Sequence, residues 1–113
     1  MKQTSETFQF CGQIASETTP EGIRRQIMGY DEKVMLVRCT FDTGTVATRH
    51  SHPHSQLSYV VSGKFEAHIG DDVKIIGPGD GYYVEPDLMH HVVCLEGGCL
   101  LDIFSPRRDD FLK

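Results

Sequence analysis

The feature that most constrains this chain is a period-two alternation of apolar and polar residues, cut at short intervals by Gly, Pro and Asp. Met35, Val37, Cys39 and Phe41 share one side of a run whose other side carries Arg38, Thr40 and Asp42. Successive side chains of a strand point to opposite faces, so this pattern reads as a half-buried strand. Leu57 to Val61 reads as a second strand. Phe65, Ala67 and Ile69, alternating with Lys64, Glu66 and His68, read as a third. Shorter runs follow at 73–76, 82–84, 92–95 and 100–104. Turns are expected at Asp42-Thr43-Gly44, Ser62-Gly63, Gly70-Asp71-Asp72, the Gly77–Gly81 segment and Glu96-Gly97-Gly98. Away from the termini no helical period is evident. Phe8 to Ala15 is a candidate for one short helical turn, weakened by Gly12. Strands spaced by about 8–12 residues, with turn chemistry between them, predict an all-β sandwich or barrel.

Composition narrows the function. The chain has 113 residues, with 11 Lys+Arg against 16 Asp+Glu, a formal charge of −5. That length suits one domain able to bury its own core. The acidic balance speaks against nucleic acid, whose phosphates need a basic surface, and against an electrostatic membrane contact. No apolar run approaches the ~18 residues of a spanning helix. Met1 to Phe10 is polar and lacks the apolar region of a signal peptide, so the expected location is the cytoplasm. The four Cys, at 11, 39, 94 and 99, show no C-x-x-C spacing. Cys39 and Cys94 are expected as small buried hydrophobes.

The histidines carry the chemistry. His50, His52 and His54 occupy alternate positions, and His90 and His91 follow a Gly-Asp turn and Pro86. On an extended segment residues i and i+2 share a face about 6.5–7 Å apart. Two imidazoles so placed can converge on one ion at bonds of about 2.1 Å. Pro53 interrupts regular pairing just beyond them. His68 points away from Phe65, Ala67 and Ile69 and is expected in solvent.

Read from Gly44, the order is Gly44, five residues, His50, one, His52, three, Gln56, six, Gly63. This resembles the first motif of the cupin family, with Gln56 where the family has Glu. The segment Gly79 to His90 resembles the second motif, with Glu85 and Asp87 departing from its usual Pro and Gly-like positions. The resemblance covers roughly residues 33–105. It implies a jelly-roll (double-stranded β-helix) barrel, a single cupin domain over 1–113 with N-terminal strands and a C-terminal tail packed on it. It further implies a divalent transition metal (Zn, Ni, Fe, Mn or Co) held by His50, His52, Gln56 and one of the paired histidines. Counting from Pro86 reaches His91; counting from Gly79-Asp80 reaches His90. His90 is the preferred reading, because Val92 and Cys94 then line the barrel beside it. Small cupins commonly dimerise through their N-terminal strands, so the resemblance also implies a homodimer, and covering an edge strand gives a physical reason.

Three His and a Gln are all neutral ligands. They leave more of the ion's charge uncompensated than a Glu would, which strengthens Lewis acidity and favours anionic ligands. In Leu100 to Phe104, residues 100, 102 and 104 share a face. An Asp inside an apolar strand is costly unless paired or functional. Asp102 either pairs with Arg107 or Arg108, or faces the metal cavity with Phe104 while an Arg caps it. The ending Asp102 to Leu112 and the run His50 to Gln56 resemble the pectin-degradation, KdgF-type cupins, which act on 4,5-unsaturated uronates. That resemblance implies a site of His50, His52, Gln56, His90, Asp102, Phe104 and Arg108. In it Asp102 would shuttle a proton, Arg108 would hold a substrate carboxylate, and Phe104 with Tyr82 or Tyr83 would form an apolar wall. The competing readings are a metal-dependent dioxygenase and a non-catalytic cupin that binds a small ligand. Arg24 and Arg25 are expected to pair with acids, or to reach a pocket or dimer seam.

Overall fold

The computed structural model describes residues 3–112; Met1, Lys2 and Lys113, the last residue of the charged tail, lie outside the described residues. Seven strands follow in order: β1 (Glu17–Thr18), β2 (Arg24–Tyr30), β3 (Met35–Phe41), β4 (Ser55–Ile69), β5 (Asp72–Ile76), β6 (Gly81–Val84) and β7 (His90–Ser105). Single 3-10 turns at Cys11–Gln13 and Asp109–Leu112 are the helical elements among the described residues, and no helix is long and apolar enough to cross a membrane. All strand pairs are antiparallel, in the order β1-β2-β3-β7-β4-β5, with β6 also on β4. The all-β jelly-roll expectation is met. The alternation at 35–41 appears as strict burial of 35, 37, 39 and 41 on β3.

Two expectations are corrected. Ser62-Gly63 and Glu96-Gly97-Gly98 do not end strands. β4 and β7 each run on through them and pair from Ser55↔Ser105 to Ile69↔His90. The register slips between Val60 and Phe65, so these residues form bulges that bend both strands. The bend needs glycine because two backbones touch there. Gly63 has φ 85°, and a Cβ on it would lie 2.5 Å from the Glu96 carbonyl oxygen. A Cβ on Gly98 would overlap the Ser62 carbonyl. The bent strands serve two layers. The first half of β4 lies between β6 and the end of β7; its second half lies between β5 and the start of β7.

Met35, Val37, Val60, Phe65 and Leu100 are essentially inaccessible and form the core, where Phe41 meets Phe65 edge-on at 5.1 Å. Cys39, Cys94 and Cys99 are buried free thiols, and Cys11 is exposed. The tail is less superficial than its charge suggests. Arg107 is buried, donating to the Gln3 carbonyl and to Asp109 (2.8 Å), while Phe111 and Leu112 pack against the core.

Replacing Gly63 by Ala forces a side chain into the β4–β7 contact at a left-handed φ. Urea unfolding is expected to show a loss of about 2 kcal/mol or more. Gly12→Ala, with nothing within 4 Å of the added carbon, should stay within about 0.5 kcal/mol.

Candidate metal centre

His50 and His90 are fixed by a reciprocal backbone bridge, His50 N–H to His90 carbonyl at 3.1 Å and His90 N–H to His50 carbonyl at 2.9 Å. His52 is held from outside by the Asp87 N–H, which donates to its carbonyl at 2.8 Å. Asp87 belongs to the turn Glu85-Pro86-Asp87-Leu88, closed by Leu88 N–H to the Glu85 carbonyl (3.3 Å), and has φ 67°. A left-handed residue after Pro is the geometry of a type II turn, which accounts for the family's small residue there; Asp tolerates it better than most. Gln56 is buried on β4, opposite Phe104 and Val84.

One ring nitrogen from each of His50, His52 and His90 lies within 4.8 Å of the other two. Each Nδ1 already meets a backbone carbonyl: His50 that of Thr48 (2.7 Å), His52 that of His54 (3.1 Å), and His90 that of Leu88 (2.8 Å). A carbonyl can only accept, so each Nδ1 carries the proton and each Nε2 presents a lone pair. The Gln56 Oε1 sits 2.8 Å from His52 Nε2 and 3.1 Å from His90 Nε2. With those tautomers, acceptor faces acceptor. An arrangement of converging acceptors is one that a cation could occupy. Burial pushes the His90 pKa down to about 4 and lowers that of His52, so both are neutral, the form that ligates. The donor set of three imidazoles is compatible with a metal ion, and nitrogen with amide oxygen suits a divalent transition metal.

Gln56 also explains why an amide replaces a carboxylate here. Its Nε2 donates to Ser58 Oγ at 3.0 Å and to Asp102 Oδ1 at 3.4 Å. A Glu would turn an oxygen toward Asp102 instead. Asp102 further accepts from Ser58 Oγ (2.5 Å) and Cys39 Sγ (3.6 Å). It does not pair with the tail arginines: Arg107 binds Asp109 and Arg108 binds Asp110. Desolvation raises the Asp102 pKa, against the hydrogen bonds from Ser58 and Cys39 that lower it. Burial, then the Asp102 charge, raises the Cys39 pKa, so the thiol keeps its proton and donates it.

A cavity of about 580 Å³ opens over this cluster, lined by His50, Gln56, His90, Asp102, Phe104 and Arg108. Phe104 meets His52 edge-on at 5.5 Å. Tyr82 lines the same cavity, whereas Tyr83 is 57% exposed on the outer surface. His91 turns away and stacks on His68 at 4.2 Å, and His68 contacts Glu66 at 2.6 Å, more enclosed than expected. His54 contributes its carbonyl and lies 5.5 Å from His52. Arg24 pairs with Asp42 at 3.1 Å, and Arg25 with Glu17 at 2.9 Å. Arg25 also reaches the cavity wall and stacks on Phe111 at 3.8 Å, with Arg108 at 4.2 Å from the same ring. Sequence reasoning missed Ser58. Its signal was a polar residue two positions after Gln56, hence on the same inward face.

The cupin domain profile matches residues 37–104. The chain belongs to the cupin family. It is 41% identical over 98 residues to pectin degradation protein KdgF of Dickeya dadantii (strain 3937), covering 85% of this chain and 89% of that protein. The crystal structure of an RmlC-like cupin from Shewanella frigidimarina NCIMB 400 superposes with TM-score 0.95 at 41% identity, covering 97% of this chain and 99% of that one. The structure of KdgF from Halomonas sp. gives TM-score 0.89 at 35% identity, with 95% and 99% covered.

Two measurements test this region, metal affinity and acid stability. His90→Ala is expected to weaken Zn or Ni binding more than about 100-fold by calorimetry on chelator-stripped protein, and His91→Ala to leave it within about threefold. At the cavity mouth, hydrogen bonds from its own backbone and from Thr48 push the Glu21 pKa down from 4.5 to about 2. A depressed carboxylate stabilises the fold above its unfolded pKa and loses that contribution as pH falls from about 4.5 toward 2. Glu21→Gln should therefore flatten the fall of Tm across that acid window.

Proposed function

We propose that this cupin is a metal-dependent enzyme of sugar-acid metabolism that ketonises a 4,5-unsaturated uronate, with residues 1–113 acting as one domain in the cytoplasm. The observation that carries the reading is the Asp102 carboxylate. It opens to the cavity, has no cationic partner among its hydrogen bonds, and is tied through the Gln56 amide to the three-histidine cluster. The similarity to pectin degradation protein KdgF supports the substrate class.

The reaction is an isomerisation, so it needs no oxidant or co-reactant. The hemiacetal hydroxyl at C1 loses a proton, the C1 bond to the ring oxygen breaks, and C4 gains a proton as C5 becomes a ketone. His50, His52, Gln56 and His90 would hold a divalent metal, which would supply Lewis-acid charge to the site. Asp102 moves the proton. Its raised pKa lets it hold and release a proton nearer neutrality than an ordinary Asp. Hydrogen bonds from Gln56 and Ser58 hold its carboxylate in place at the cavity wall. Arg108 is held by Asp110 through Nε and Nη2, at 3.0 and 2.8 Å, which leaves its Nη1 edge for the substrate carboxylate. Phe104 and Tyr82 form the wall against the sugar face. A dioxygenase of the two-histidine, one-carboxylate type is less well served, since the fourth donor group is an amide.

The test follows the conjugated-alkene absorbance of a 4,5-unsaturated galacturonate, with the spontaneous rate subtracted. Acceleration is expected with metal-loaded protein and its loss with chelator. Asp102→Asn should cut turnover by about 100-fold or more, and Arg108→Ala should act mainly on KM. No acceleration by protein with confirmed bound metal would overturn the substrate assignment, and oxygen uptake would favour the dioxygenase.

A further inference from the structure

Two arginines far apart in sequence reach the same cavity. Arg25 stands on β2 and Arg108 in the tail beyond β7, and both line the cavity over the histidine cluster. Phe111 lies between them. The Arg25 guanidinium carbon is 3.8 Å from the centre of its ring, and that of Arg108 is 4.2 Å. One ring face has room for a single guanidinium at that range, so the two take opposite faces. Their carbons then stand up to about 8 Å apart. Phe104 closes the corner, perpendicular to Phe111 at 5.7 Å and 5.0 Å from the Arg108 carbon.

Each guanidinium is also backed by an acid. Glu17 accepts from Arg25 Nε at 2.9 Å, and Asp110 accepts from Arg108 Nε and Nη2 at 3.0 and 2.8 Å. Among the described residues, no hydrogen bond occupies Nη1 or Nη2 of Arg25, or Nη1 of Arg108. Both side chains are largely enclosed, 23% and 12% exposed. Ring and acid together fix the groups before any ligand arrives, so little side-chain entropy remains to be lost on binding. Two positive groups held around one ring also repel each other, and a negative ligand spanning them relieves that repulsion.

The free edge of a guanidinium is shaped for a carboxylate. Arg108 suffices for the single carboxylate of a uronate, which leaves Arg25 as a second receptor of the same kind. A ligand that satisfies both has a carboxylate at each end of an extended chain. Six carbons place the terminal carbons about 6 Å apart, and the carboxylate oxygens extend that reach; four carbons span only about 4 Å. Gln56 and Asp102 line the same cavity, a polar wall that suits a chain bearing hydroxyls over a plain alkane diacid.

We propose that Arg25 and Arg108, stacked on Phe111, form a two-armed carboxylate receptor, and that this cavity binds six-carbon sugar diacids more tightly than the corresponding monoacids. Arg25 is the residue that sets this preference, and Phe111 positions both arms. The receptor rests on the role given to Arg108 above, but it needs neither metal nor turnover.

Calorimetry on the whole, chelator-stripped chain tests it, with galactarate, galactonate and tartrate as probes. Galactarate is expected to bind at least about 10-fold more tightly than galactonate, which lacks one terminal carboxylate, and than the four-carbon diacid tartrate. Arg25→Ala should remove the preference for galactarate and leave galactonate within about threefold. Arg25→Lys, which keeps the charge and loses the flat edge, should fall between the two. Phe111→Leu should weaken galactarate and galactonate alike, and circular dichroism confirms folding of each variant. Equal affinity for galactarate and galactonate, no binding of either, or a preference that survives Arg25→Ala would overturn the receptor. A preference for galactarate in a chain that fails to turn over the unsaturated uronate would strike the catalytic reading and leave the receptor in place.

Discussion

The antiparallel pairing of β4 with β7 is the constraint on which the other features rest. Each strand alone is too long for one layer and must bend. They bend together where Gly63 and Gly98 let the two backbones touch. The bend carries one pair of strands through both layers, so the core between the layers is closed by continuous chain. It also sets the site. β7 carries His90 at one end and Asp102 and Phe104 at the other, while β4 brings Gln56 opposite Phe104. Groups far apart in sequence thus meet on two strands whose mutual register is fixed.

The centre is organised by where protons sit. Three backbone carbonyls take the Nδ1 protons of His50, His52 and His90. The inward nitrogens are thereby left as acceptors, and the Gln56 oxygen joins them. The amide end of Gln56 does the reverse, offering hydrogen to Asp102. One side chain therefore sorts the cavity into a cluster of acceptors suited to a cation and a carboxylate that receives hydrogen bonds. A negatively charged Glu in that place would serve the first need and oppose the second.

Much of this was legible in sequence, and the gaps have physical causes. β3 could be read at once because one face meets core and the other does not. β2 shows no such alternation: Arg25 points into a cavity and Gln26 is buried beneath the segment before β1, so polarity and burial are uncoupled there. The glycines of β4 and β7 look like turn residues because local sequence cannot distinguish a chain reversal from a close backbone contact. The spacing of His50 and His52 announced a shared face. The choice between His90 and His91 depended on parity along β7, which the structure expresses as one ring in the cluster and the other on His68. Ser58 and the carbonyls of Thr48, His54 and Leu88 carry no local signature, since any residue can supply a carbonyl.

The hydrogen bond between Gln56 and Asp102 has a consequence for descent. A lineage that regains the family's Glu at 56 while keeping Asp at 102 passes through two neighbouring carboxylates that must share a proton. A lineage that loses Asp102 first removes the reason for the amide. The two positions are thus coupled by chemistry: a carboxylate at 56 calls for a change at 102, and loss of the carboxylate at 102 frees 56.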